Sequence, residues 1–92
     1  MKLQHNPTHK KALYIRASSF MKKKMYNEAV EDCHMMLEKD CKNVGAFYLM
    51  GCAYEKIGDI RMAIDNLSIV IELDPEHVNA LLARGACLNT IG

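Results

Sequence analysis

Residues 44–75 read VGAFYLMGCAYEKIGDIRMAIDNLSIVIELDP. Two helical patterns meet at Gly58-Asp59. Between 44 and 57 the apolar side chains fall at Phe47, Met50, Tyr54 and Ile57, in steps of three and four, which places them on one helical face. Between 60 and 73 they fall at Ile60, Ala63, Ile64, Leu67, Val70, Ile71 and Leu73, again at helical spacing. Asn43 is placed to cap the first helix and Asp59 the second. Gly58 suits a left-handed residue that ends the first helix. Pro75 cannot continue the second helix and restricts Asp74 before it. Gly51 and Ala63 lack bulk where the two helices cross, so the backbones can approach, and Tyr54 and Leu67 fill the space on either side.

The rest of the chain is legible as copies of this unit. A shift of 34 residues lays 10–43 on 44–77 without a gap, matching Ala12/Ala46, Tyr14/Tyr48, Lys22/Lys56, Ala29/Ala63, Glu38/Glu72 and Asp40/Asp74. The same shift lays 44–58 on 78–92, matching Val44/Val78, Ala46/Ala80, Gly51/Gly85, Ile57/Ile91 and Gly58/Gly92. One small-residue slot therefore holds Ala17, Gly51 and Gly85 in turn. A period of 34 fits one helical hairpin, with helices of about 14 residues and ~21 Å each. A lone amphipathic hairpin cannot bury both faces, so it stacks on its neighbours.

The 34-residue period, with a large residue, then x2-L-G-x2-Y, A-x3-F and a late proline, resembles the tetratricopeptide repeat family. Here the motif reads Phe47-x2-Met50-Gly51-x2-Tyr54, then Ala63-x3-Leu67, then Pro75. The resemblance implies an all-α fold, a right-handed solenoid of antiparallel helix-turn-helix repeats with about five helices. Residues 10–43 read as a degenerate repeat, with Leu13, Arg16, Ala17, Phe20 and Ala29 in place, Cys33 and Cys41 in the Leu67 and Pro75 slots, and Lys24 where Gly58 stands. Residues 78–92 carry the first helix of a third repeat. Arg16 and Arg84 occupy the Met50 slot, where a long stem can pack while its charge reaches water. Pro7 lies two periods before Pro75, so residues 1–9 read as the end of a preceding repeat and the chain as a window of a longer array.

The composition is globular, half of it hydrophobic among 92 residues. Net charge is +1, and no global field draws the chain to nucleic acid or membrane. The charge is uneven: residues 1–43 hold nine Lys/Arg against five Asp/Glu, and residues 44–92 hold three against six. The halves are thus +4 and −3. With Leu81 and Leu88 lacking a partner helix, end-to-end self-association is expected, most at low salt. No uncharged run approaches the ~20 apolar residues a membrane helix needs, and the polar start MKLQHNPTHKK is no signal peptide. Cys33, Cys41, Cys52 and Cys87 fit no metal spacing; they read as free thiols in a reducing, cytoplasmic setting.

Catalytic chemistry is not indicated. Asp32, Asp59, Asp65 and Glu72 read as exposed helical acids. Cys33 and His34 are adjacent on a helix, about 100° apart, and Cys33 falls in a packing slot as an inert thiol. His5, His9 and His77 read as solvated. No cofactor or metal is expected, and the chain is not read as an enzyme.

The resemblance implies a protein or peptide partner, held in the groove lined by the first helix of each repeat. Carried over by the 34-residue offset, the groove residues are Lys11, Tyr14, Ser18, Met21 and Lys22, then Gly45, Tyr48, Cys52, Glu55 and Lys56, then Asn79, Leu82, Ala86, Asn89 and Thr90. Tyr14 and Tyr48 are expected to stack in register as an aromatic pair with polar tips, serving either a peptide surface or ordinary packing between repeats. Family members that bind chaperones clamp a C-terminal carboxylate with Lys, Asn and Arg side chains. The matching positions here are Tyr14, Ser18, Cys52, Leu82 and Ala86, which supply no ionic donor, so that clamp is absent. The other reading is an internal structural spacer or self-association segment.

Overall fold

The computed structural model describes residues 10–91; the readings of Pro7, His5, His9 and residues 1–9 lie outside them. Five α-helices follow one another there: α1 (Lys10–Lys22), α2 (Tyr26–Lys39), α3 (Val44–Ile57), α4 (Ile60–Leu73) and α5 (Val78–Ile91). The starts of α1, α3 and α5 recur every 34 residues, as do those of α2 and α4. The ends of α3 and α4 coincide with the limits of the two apolar patterns.

The caps explain the sharp boundaries. Asn43 accepts a hydrogen bond from the Ala46 N–H at 3.0 Å, and Asp59 accepts one from Met62 N–H at 3.3 Å. Gly58 ends α3 at φ 104°, and the Asp59 N–H reaches back to the Tyr54 carbonyl at 2.9 Å, the bond that closes a left-handed helix end.

The α1–α2 turn repeats this geometry with unsuitable residues. Met25 N–H donates to the Phe20 carbonyl at 2.8 Å, one period before the Asp59–Tyr54 bond. Lys24 therefore takes φ 62°, where a side chain crowds the following carbonyl at a cost of about 1–2 kcal/mol. Met25 stands at the α2 N-cap with no side-chain cap bond, a loss of about 1 kcal/mol. Lys24→Gly with Met25→Asp is expected to raise stability by about 1–2 kcal/mol, read as a higher urea midpoint with unchanged slope; an unchanged midpoint would show that neither residue limits the turn.

Each helix packs on the next in the chain, and α1–α3 and α3–α5 also meet. Among the described residues α2 and α4 do not. The first helices thus converge and the second helices splay, which curves the stack with α1, α3 and α5 on its inner side. Two cores result. One is built on Leu13, Ala17, Ala29, Cys33, Met36, Leu49 and Met50, the other on Ala63, Leu67, Val70, Ala80 and Cys87. Phe47 and Tyr54 pack against both and join them.

Two expectations change. Asp32 is not exposed but 2% accessible, and Arg16, though its side chain is 43% exposed, also reaches across to it. Its Nε and Nη2 donate to Asp32 Oδ2 and Oδ1 at 2.8 and 2.7 Å, a two-pronged bond from α1 to α2. The bond to Asp32 raises the Arg16 pKa further above its ordinary value, more than burial lowers it. Arg84, one period pair later, instead donates to Ser68 Oγ at 3.4 Å.

Candidate functional site

The inner side carries the carried-over groove residues on three adjoining helices. Lys11, Lys22, Glu55, Lys56, Leu82, Ala86 and Asn89 are exposed, while Ser18, Met21, Tyr48 and Cys52 are half-buried. Tyr14 is 40% exposed. Gly45, Asn79 and Thr90 lie on the same helices, Gly45 half-buried and the other two exposed.

The tyrosines are placed differently from the expected ring pair. The Tyr14 ring lies against α3 at Gly45, where an added Cβ would meet Tyr14 Cε1 at 3.0 Å. Gly45 is thus the seat of Tyr14, and a larger residue there would displace the ring. The Tyr48 ring pairs instead with His77, centroids 5.0 Å apart at 38°. His77 is half-buried rather than solvated, and its Nδ1 accepts the Ala80 N–H at 3.0 Å. It therefore caps α5 as Asn43 caps α3. The signal was in the sequence: Asn43 and His77 share one slot, 34 residues apart.

Between α3 and α5 the polar groups are coupled. Tyr48 and Cys52 stand close enough to shift each other's titration. Burial, then the neighbouring Cys52, pushes the Tyr48 hydroxyl up to about 12, so it stays neutral. Burial raises Cys52 and Cys87 as well. Lys56 Nζ lies 3.8 Å from Glu55 Oε1, an exposed contact of little energetic weight that offsets the one carboxylate on this wall.

The thiols do not form a reactive centre. Cys33, Cys52 and Cys87 are free and at least partly buried, and Cys41 is free and exposed. Burial first, and the Asp32 charge second, pushes the Cys33 thiol from 9.0 up to about 12. The folded chain then keeps a proton that the unfolded chain releases between those values, so stability falls as pH rises above 9. Cys33→Ala is expected to flatten that decline. The check is the difference in urea midpoint between about pH 8 and about pH 10; an equal decline in both proteins would place its source elsewhere.

Among the described residues, no group of three or more His, Cys, Asp or Glu is arranged to hold a metal ion. Among the same residues, no helix is long and apolar enough to cross a membrane.

Residues 44–77 match the family model of the tetratricopeptide repeat. The chain is similar to the Arabidopsis OM64 TPR domain, with a TM-score of 0.84 and 24% identity over 89% of this chain and 68% of that one. It is similar as well to MamA 41-end from Desulfovibrio magneticus RS-1, with a TM-score of 0.81 and 24% identity over 89% of this chain and 46% of that one. At that identity the likeness establishes the fold. Tetratricopeptide domains are in general non-catalytic modules of protein–protein interaction. Residues 44–77 are thus a match to the tetratricopeptide repeat, and helices recur at its period on both sides in a fold similar to solved tetratricopeptide domains.

Proposed function

We propose that the inner wall of α1, α3 and α5 reads a segment of a partner protein, with Lys11, Tyr14, Ser18, Met21, Lys22, Tyr48, Cys52, Glu55, Lys56, Leu82, Ala86 and Asn89 as its contact surface. The observation that carries this reading is the packing order. α3 meets both α1 and α5, while among the described residues α2 and α4 do not meet, which favours a concave row of half-exposed side chains with two tyrosines on it. Each tyrosine offers an apolar ring and a polar tip at low entropic cost. Residues 10–43 serve as a degenerate repeat, 44–77 as the full repeat, and 78–92 as the first helix of a third. Free thiols suit a reducing compartment such as the cytosol.

Tyr14→Ala combined with Tyr48→Ala is expected to abolish partner capture while helicity by circular dichroism is retained. Tyr48 also packs against the second core, so Tyr14→Ala alone, at an exposed ring, guards against a folding artefact. Unchanged capture by the double variant removes the groove reading.

One observation favours a second role, as a structural spacer or self-associating segment. α5 leaves Leu81 and Leu88 41% and 47% exposed, a face with room for a further helix or a second copy.

A further inference from the structure

The inner wall is electrically graded from end to end. On α1, Lys11 and Lys22 are exposed, and among the described residues neither has an acidic partner. Arg16, also on α1, is already engaged by Asp32. On α3 the single Glu55 is offset by Lys56 at 3.8 Å. On α5 the wall carries no charge in its groove positions, and Leu82 is its most exposed apolar side chain at 68%. The turn before α5 adds Asp74 and Glu76, so negative charge is disfavoured at that end and favoured at the other.

From this complementarity we propose that the groove takes a peptide with acidic side chains over α1, at Lys11 and Lys22, and an apolar side chain over α5, at Leu82. The proposal rests on the groove reading above and adds the partner's chemistry and direction. The tyrosines supply the neutral part of the wall: Tyr48 presents a ring paired with His77, and Tyr14 a ring seated on Gly45. The acidic groups are side chains. The wall has no ionic donor at Ser18, Cys52 or Ala86 to hold a terminal carboxylate.

A random-peptide display library is selected on the 92-residue chain, and an enriched sequence is synthesised with an amidated C-terminus and a fluorescent label. Enriched peptides are expected to carry Asp or Glu at one end and Leu, Ile or Phe at the other. Anisotropy should show Kd rising by about tenfold or more on Lys11→Glu with Lys22→Glu, and with added salt. Leu82→Asp should weaken the same peptide, and exchange of its acids for amides should mimic the lysine variant. Enrichment of neutral or basic peptides that Tyr14→Ala with Tyr48→Ala still loses keeps the groove and overturns the acidic partner. Lysine-sensitive binding that the tyrosine variant leaves intact overturns the groove. No enrichment over the tyrosine variant overturns both. Sedimentation that moves to dimer at low salt as peptide binding disappears assigns the surface to a second copy and overturns the peptide.

Discussion

Gly51→Leu is expected to destabilise the fold by about 3 kcal/mol or more, a fall in Tm of roughly 12–24 °C for a domain of this size. Gly51 sits inside α3, where glycine weakens a helix by about 1 kcal/mol relative to alanine. The sequence accepts that cost because α4 comes too close for anything else. A Cβ at Gly51 would stand 2.8 Å from Leu67 Cγ and 2.9 Å from Leu67 Cδ2, with the Ala63 carbonyl oxygen behind them at 3.5 Å. Cγ is the branch point of a fully buried side chain, so relief requires α3 and α4 to part. Gly85 holds the same slot one period later and has nothing within 4 Å of its Cβ position. Gly85→Ala should therefore have the opposite sign and stabilise by about 0.5–1 kcal/mol. Thermal melts of both variants check the pair. If the two shifts agree in sign, the contact with Leu67 is not what fixes the slot.

The contrast between Gly51 and Gly85 shows what a sequence can and cannot disclose. The 34-residue offset, the caps Asn43 and Asp59, and the left-handed Gly58 are local signals, each tied to backbone geometry within a few residues. They placed α3 and α4 at their observed limits. The cost at Lys24 was also visible, as the wrong residue in a glycine slot. Contacts across the stack were less visible. Asp32 reads as a surface acid because nothing within a turn of α2 announces a cation, and its partner lies 16 residues away on α1. Tyr14 and Tyr48 share a register position, but register does not say which ring turns to which neighbour: Gly45 receives one and His77 the other. The candidate groove positions rest on repeat register alone, and the groove reading remains a proposal. Which of the nearby charges are already paired, Arg16 with Asp32 and Lys56 with Glu55, is not legible from register.

Removing Arg16 alone should cost far more than removing the pair. Asp32 is 2% accessible and bonded through both oxygens to the guanidinium of Arg16, whose side chain is 43% exposed. Arg16→Met leaves a carboxylate buried without its counter-charge. Such losses reach about 3–5 kcal/mol for fully buried pairs. The half-exposed Arg16 side is screened by water, which brings the expected loss to about 2–3 kcal/mol. The next repeat already contains the remedy. One period later, Arg16 corresponds to Met50 and Asp32 to Asn66, both buried, and Asn66 satisfies itself by donating Nδ2 to the Met62 carbonyl at 2.8 Å. An asparagine at 32 has the equivalent Glu28 carbonyl one turn before it. Arg16→Met with Asp32→Asn is therefore expected to recover to within about 1 kcal/mol of the parent, a coupling energy of at least about 1–2 kcal/mol, to which any loss on Asp32→Asn alone adds. Urea unfolding of the parent, both single variants and the double variant measures it. Additive losses would mean that the two side chains act independently and that the ion pair does not hold α1 to α2. Recovery would show that the degenerate repeat solves, with a charged pair, the same packing problem that the full repeat solves with a thioether and an amide.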